Sequence, residues 1–381
     1  CNTGLLTLAL AACPLWAGEA APAREGPYWC RDFSGTSRVA SDRLQVRSGW
    51  NITVSGGAGD EIAWSCKVRI KALGPQEAAR HLAGFAPVFS RQGPYTVMAI
   101  SPDLYVADLN LTVPRHLREV VIASVRGGIN ASGVDGAVSA RTGGGAVKLD
   151  RIGSNVHIET AGGAITLGAI GGDAHCLTAG GPITADVIRG AALFQTGGGD
   201  IVVREIGGLL RASTDGGLIR VGRAGSAVIA STAGGSIEVA QARGAVTARS
   251  SAGPINVGGA AGVECQSAAG AIRLSNVSRS LRAYTAMGSI VAQLMADRPF
   301  ADSFLVTRDG DITVLIPSNL GVRIRAENQS PESLRKIISE FPGISVQFED
   351  GLAVAEGVLN GGGPLLRISG NGGVISIKRQ N

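Results

Sequence analysis

The residue types able to do chemistry in this chain are few, and their spacing repeats. His157 and His175 stand 18 residues apart, and two imidazoles brought side by side could share a metal ion. A closed zinc site needs four ligands, and only Glu159 is near enough in sequence to help, so stacking of two surface rings is expected. His81 and His116 have no evident partners. Asp150 and Asp186, with Arg151, Arg204 and Glu205, are the types with which polysaccharide-cleaving enzymes protonate and attack a glycosidic bond. Gly197-Gly198-Gly199-Asp200 matches a calcium-binding nonapeptide once, where such a site needs the motif in series. No cofactor is implied.

Six cysteines complete the inventory. Cys30 and Cys66 lie where an exported chain could carry a disulfide, and a bridge between them is expected, with two free thiols as the alternative. Cys176 and Cys265 fall in an apolar column and read as buried small hydrophobes. Cys1 and Cys13 belong to the leader described below.

The elements that must position these groups are written as one repeat. Gly-x-Ile/Val recurs with glycines at Gly145, Gly163, Gly181, Gly199, Gly217, Gly235 and Gly253, always 18 residues apart, then at Gly270, Gly288 and Gly310 after steps of 17, 18 and 22. Within each repeat, apolar residues alternate at Ile165/Leu167 and at Ala174/Cys176, followed by a hydroxyl at Thr178. That hydroxyl column is unbroken: Thr160, Thr178, Thr196, Thr214, Thr232, Ser250, Ser267 and Thr285. Alternation is strand period, so each repeat holds two short strands. A position that is glycine every time fits a turn with φ > 0. Like columns must stack about 4.8 Å apart as parallel strands. The expected fold is all-β, a right-handed parallel β-helix (β-solenoid) of 18 residues per coil, the hand following the general rule for parallel crossovers. The hydroxyl column has the parity of an inward or corner position, where it would bond backbone of neighbouring coils.

Four regions are expected. Residues 1–26 read as an export signal: Leu5 to Ala12 is apolar but too short to span a bilayer, and small residues follow at Gly18/Ala20 and Ala21/Ala23. Leu10-Ala11-Ala12-Cys13 also resembles a lipobox, which would make Cys13 a lipidation site. Residues 27–125 read as an N-terminal β cap with a degenerate first coil over Leu44 to Val54 and one short helix over Pro75 to Ala83. Residues 126–316 are the regular solenoid. Residues 317–381 read as C-terminal coils and cap, including a helix over Glu332 to Glu340 begun by Ser330-Pro331.

Fifty-six glycines, 4% aromatics and 17% charged residues suit a narrow, periodic core. The net charge of +5 is scattered, with no basic run interleaved with aromatics, so no nucleic acid partner is expected.

The order of parts resembles a bacterial putative-adhesin family of β-strand-repeat proteins of unknown function. The likeness rests on the Leu44-to-Val54 opening, Val113-Pro114, the Thr-x-Gly-Gly-x-Ile repeats, Asp311 to Pro317, and the closing Gly361-Gly362-Gly363-Pro364-Leu365-Leu366-Arg367-Ile368 with Gly372-Gly373-Val374-Ile375. It covers residues 40 to 381 and implies a β-solenoid in exported or envelope-associated proteins, without established chemistry. The expected role is an extracytoplasmic (periplasmic, surface or secreted), non-enzymatic structural or adhesive module. Its partner would be an envelope polysaccharide or protein, with the membrane reached only through a lipid on Cys13. The competing reading is a carbohydrate-active β-helix enzyme, a lyase or hydrolase. Seven equal spacings leave it no long loop with which to build a cleft.

Overall fold

The computed structural model describes residues 21–100, 106–296, 300–329, 336–349 and 351–380. The chain divides into two compact units, residues 1–189 and 190–381, and each is a parallel β-helix. Every coil gives one strand to each of two sheets. In the anchor sheet the strand starts just after the glycine anchor, as in Ile165–Ile170. In the hydroxyl sheet it ends on the hydroxyl, as in Ala174–Thr178. The register follows the sequence period: Ile165 pairs with Ile183, and Val156, His157 and Ile158 pair with Ala174, His175 and Cys176. Alternate residues point inward and are buried, so each coil sheathes a narrow aliphatic core, here Ile165, Leu167, Ile170, Ala174 and Cys176.

The anchor glycines are required by contact, and the expectation of positive φ is corrected. Only Gly288 and Gly310 among them have positive φ, at 151° and 142°. A Cβ on Gly163 would lie 1.9 Å from the carbonyl oxygen of Gly145, and one on Gly235 would lie 2.0 Å from that of Gly217. Backbone rests on backbone from coil to coil, and no side chain fits between.

The hydroxyl column ties those glycines together. Thr178 Oγ1 donates to the Gly163 carbonyl of the preceding coil (3.0 Å) and accepts from the Gly181 N–H of its own (3.2 Å). Thr160 makes the same pair with Gly145 and Gly163, and in the second unit Thr232 makes it with Gly217 and Gly235. These hydroxyls are buried. Thr178→Val keeps the shape but orphans a buried N–H and a buried carbonyl, so a loss of about 2–4 kcal/mol is expected in urea unfolding. No loss would mean that the column does not hold the coils.

At both ends the chain order of coils differs from their order in space. In the first unit the Leu44-to-Val54 segment is a full coil, with strands Arg43–Ser48 and Ile52–Gly57. On one side it pairs with Glu119–Ser124 and Ile129–Ser132. On the other it pairs with Tyr95–Ala99 and Val106–Pro114. The later segment is therefore the outer one. Antiparallel strands Glu61–Ile70, Tyr28–Arg38 and Ala23–Glu25 then extend the anchor sheet. The helix Pro75–Ala83 has proline in its first turn and buries Ala78 and Leu82.

The second unit ends in the mirror image of that arrangement. Leu365–Gly370 lies between Ser303–Asp309 and Val322–Gln329, and Ile375–Gln380 lies between Ile312–Pro317 and Ile337–Ser339. The last coil in sequence is thus wedged inside the one before it. Asn328 replaces the hydroxyl in the outer coil: its Nδ2 donates to the Gly373 carbonyl at 2.7 Å, as each threonine does to its own anchor. The helix expected over Glu332 to Glu340 is corrected in part. Ile337–Ser339 is a strand, because Ile337 is needed opposite Ile375 in the core; 330–335 lie outside the described residues.

The expected disulfide is also corrected. Cys30 sits opposite Arg69 and Cys66 opposite Phe33 in one antiparallel pair. The two cysteines are three residues out of register and point to opposite faces of the hairpin, beyond the reach of an S–S bond. Both are free and buried, as are Cys176 and Cys265. Burial pushes the Cys66 thiol up to about 12 and raises Cys176 and Cys265 further. Thiol titration of the unreduced, denatured chain is expected to find all four free; protection of Cys30 and Cys66 would restore the bridge. Above pH 9, where unfolded thiols ionise and these keep their protons, the unfolded chain binds fewer protons, so stability falls as pH rises.

Candidate functional site

The expected catalytic and metal-binding groups do not converge. His157 and His175 pair across adjacent strands of the hydroxyl sheet, with ring centroids 4.7 Å apart and the planes edge-on at 73°. Glu159 is already engaged: its Oε1 lies 2.7 Å from His157 Nε2, and Arg141 Nε lies 2.9 Å from its Oε2. The hydrogen bond from His157, then that from Arg141, holds the Glu159 carboxyl below its usual range. Among the described residues no three His, Cys, Asp or Glu gather at metal-binding distance.

Asp150 and Asp186 lie on the outer face of the anchor sheet in the first unit. The Oδ1 of Asp150 accepts the Ala169 N–H at 3.2 Å, and its Oδ2 is 3.5 Å from Arg151. Arg204 and Glu205 belong to the second unit, where Glu205 Oε2 meets Arg223 at 2.9 Å and Arg204 at 3.8 Å. No inserted loop walls the coils that carry the two aspartates.

The concave surfaces are shallow. A depression of about 690 Å³ in the second unit lies over Gly222, Ala240 and Gly258, where small outward residues leave room. The polar groups at its rim are used within the fold: Arg223 pairs with Glu205, and Asn276 Nδ2 donates to the Gly258 carbonyl at 3.1 Å. Cys13, the candidate lipidation site, lies outside the described residues. Among the described residues no helix is long and apolar enough to cross a membrane.

The outer faces of the sheets remain, and they differ. In the second unit outward charges close on one another one coil apart: Arg220 with Glu238 at 2.8 Å, and Arg249 with Glu264 at 3.0 Å. The hydroxyl sheet of the first unit does the same with Arg141 and Glu159. The anchor sheet of the first unit does not. Across six consecutive strands its outward column reads Asn110, Thr53, Asn130, Lys148, Thr166, Thr184. Thr53 is partly exposed and the other five are exposed. A second column runs alongside with Thr112, Ser55 and Ser132 before reaching Asp150. The sequence order hides this face, because the strands bearing Asn110 and Thr53 are out of chain order; only Thr166 and Thr184 stand in visible register.

No family model and no curated protein matches the chain. Solved structures do. One is a putative cell adhesion protein from Clostridium sporogenes ATCC 15579, 8% identical, with 92% of this chain and 100% of that one covered at a TM-score of 0.22. Another is a putative adhesin from Bacteroides fragilis NCTC 9343, 12% identical, with 94% and 99% covered at a TM-score of 0.25. Overlays this loose carry no argument about role, and the functional reading rests on the residues of this chain.

Proposed function

We propose that the chain is an exported, non-enzymatic β-solenoid that serves outside the cytoplasm as a structural or adhesive module of the cell envelope, holding a polymer or protein partner along its outer sheet faces. One observation carries this reading. The inward and anchor columns are fixed by stacking, whereas the outward columns vary freely and one flat face bears polar side chains that the fold does not use. A binding module needs such a preformed surface. An enzyme would need titratable groups brought together, and the candidate groups are separate or tied in ion pairs. Export is supported by the apolar Leu5-to-Ala12 segment with its small-residue cleavage positions.

Incubating the purified protein with envelope and cell-wall fractions tests the binding role. Saturable retention on at least one fraction is expected. Failure to be retained on any of them would overturn it, and release of soluble sugars from any of them would overturn the non-enzymatic reading.

A further inference from the structure

We infer that the outer anchor-sheet face of the first unit binds an uncharged, extended polysaccharide, laid across the strands with roughly one sugar residue per coil. This rests on the binding role proposed above and assigns it a place and a ligand class.

The first observation is an unused hydrogen-bonding array. Asn110, Thr53, Asn130, Thr166 and Thr184 occupy one column on neighbouring strands. None of their side chains bonds to another residue of the chain, unlike Asn51, which reaches Asp108, or Asn155, which accepts the Asp173 N–H. Hydroxyls donate and accept, and carboxamides do both at once. A sugar ring offers the same mixture at its edge.

The second observation is charge. Within the two columns the charges are Lys148, Asp150 two residues along the same strand, and Asp186. Asp150 is itself engaged by the Ala169 N–H and Arg151. The face therefore has no cationic row to hold a polyanion and no acidic row to hold a polycation. The unit's other outer face, with Arg141, Glu159 and His157, is charged and internally paired.

The third is geometry. The rungs repeat about every 4.8 Å, close to the length of one residue in an extended sugar chain, so successive residues of the polymer meet equivalent groups. Single bonds of this kind are weak in water. Six rungs acting on one chain add, because binding at the first makes the next intramolecular. A rigid sheet meets that chain already ordered.

The experiment is calorimetric titration of the full chain with cellohexaose and xylohexaose, using cellobiose and hexagalacturonate for comparison. Binding of at least one neutral hexasaccharide is expected, at least about tenfold tighter than the disaccharide. It should be insensitive to added salt, because no ion pair is screened. Thr53→Val/Thr166→Val/Thr184→Val removes three hydroxyls from exposed or half-exposed positions and should weaken binding about tenfold or more, with the melting temperature unchanged. Thr166→Lys/Thr184→Lys should do the same if the valine protein is insoluble. No binding of any neutral hexasaccharide overturns the inference, as does unaltered affinity in the folded variants. Tighter, salt-sensitive binding of hexagalacturonate overturns it too, yet leaves the broader binding role standing.

Discussion

Gly163→Ala is expected to destabilise the protein by more than about 3 kcal/mol, while Gly162→Ala, one residue earlier, stays within about 1 kcal/mol of wild type. The two positions differ only in what a Cβ would meet. At Gly162 nothing lies within 4 Å. At Gly163 the new methyl would sit 1.9 Å from the Gly145 oxygen and 2.4 Å from its carbonyl carbon. Both obstacles are backbone, so no rotamer change relieves them. The coils must separate, and separation breaks the bonds that Thr160 makes to the Gly145 carbonyl and the Gly163 N–H. The strain also spreads, because Gly181 rests on Gly163 as Gly163 rests on Gly145. Urea unfolding followed by circular dichroism checks the pair; equal midpoints for the two variants would refute contact as the reason for the glycine column.

Ending the chain after Asn360 is expected to undo the C-terminal region of the second unit. The lost coil contributes Leu366, Ile368, Ile375 and Ile377, all buried. At about 1.5–3 kcal/mol for each aliphatic side chain, that is roughly 6–12 kcal/mol of burial. The position of the coil matters as much as its area. It lies between Ser303–Pro317 on one side and Val322–Ser339 on the other, so its loss leaves two open strand edges with a gap between them. Unpaired edges of this kind invite aggregation and proteolysis. Limited proteolysis with mass spectrometry should find new cleavage within 318–360 in the truncated chain and none in the full-length one. A truncated chain as resistant as the full one would contradict the wedged-coil topology.

The solenoid was legible in the sequence because stacking leaves so few choices at each column. Aliphatic residues at Ile165 and Leu167, a hydroxyl at Thr178 and glycine at Gly181 are each fixed by the coil next door, so the period survives in the residues themselves. The reason for the glycines was not legible, since positive φ and close backbone approach both demand the same residue. The ends were hidden for a different reason. Leu44 meets Val120, and Ser303 meets Leu366, through pairings that no local period encodes. Asn328 was missed because the outer coil fills the hydroxyl position with another residue type. Cys30 and Cys66 misled because spacing says nothing about which face of a hairpin a side chain takes; register decides that. On the binding face, Thr166 and Thr184 could be aligned by counting, whereas Thr53 and Asn110 join them only once the swapped coil order is known.

The in-register stacking of coils is tested most directly by placing thiols on neighbouring strands, as His157→Cys/His175→Cys, and treating the folded protein with a bifunctional bimane that fluoresces on bridging two thiols. Residues 157 and 175 are direct partners with outward side chains, so strong fluorescence above the wild-type background is expected, and much less from His157→Cys/Leu177→Cys, where the partner is displaced along the strand. Equal signals from the two proteins, or bridging in the second alone, would contradict the 18-residue register on which every column described above depends.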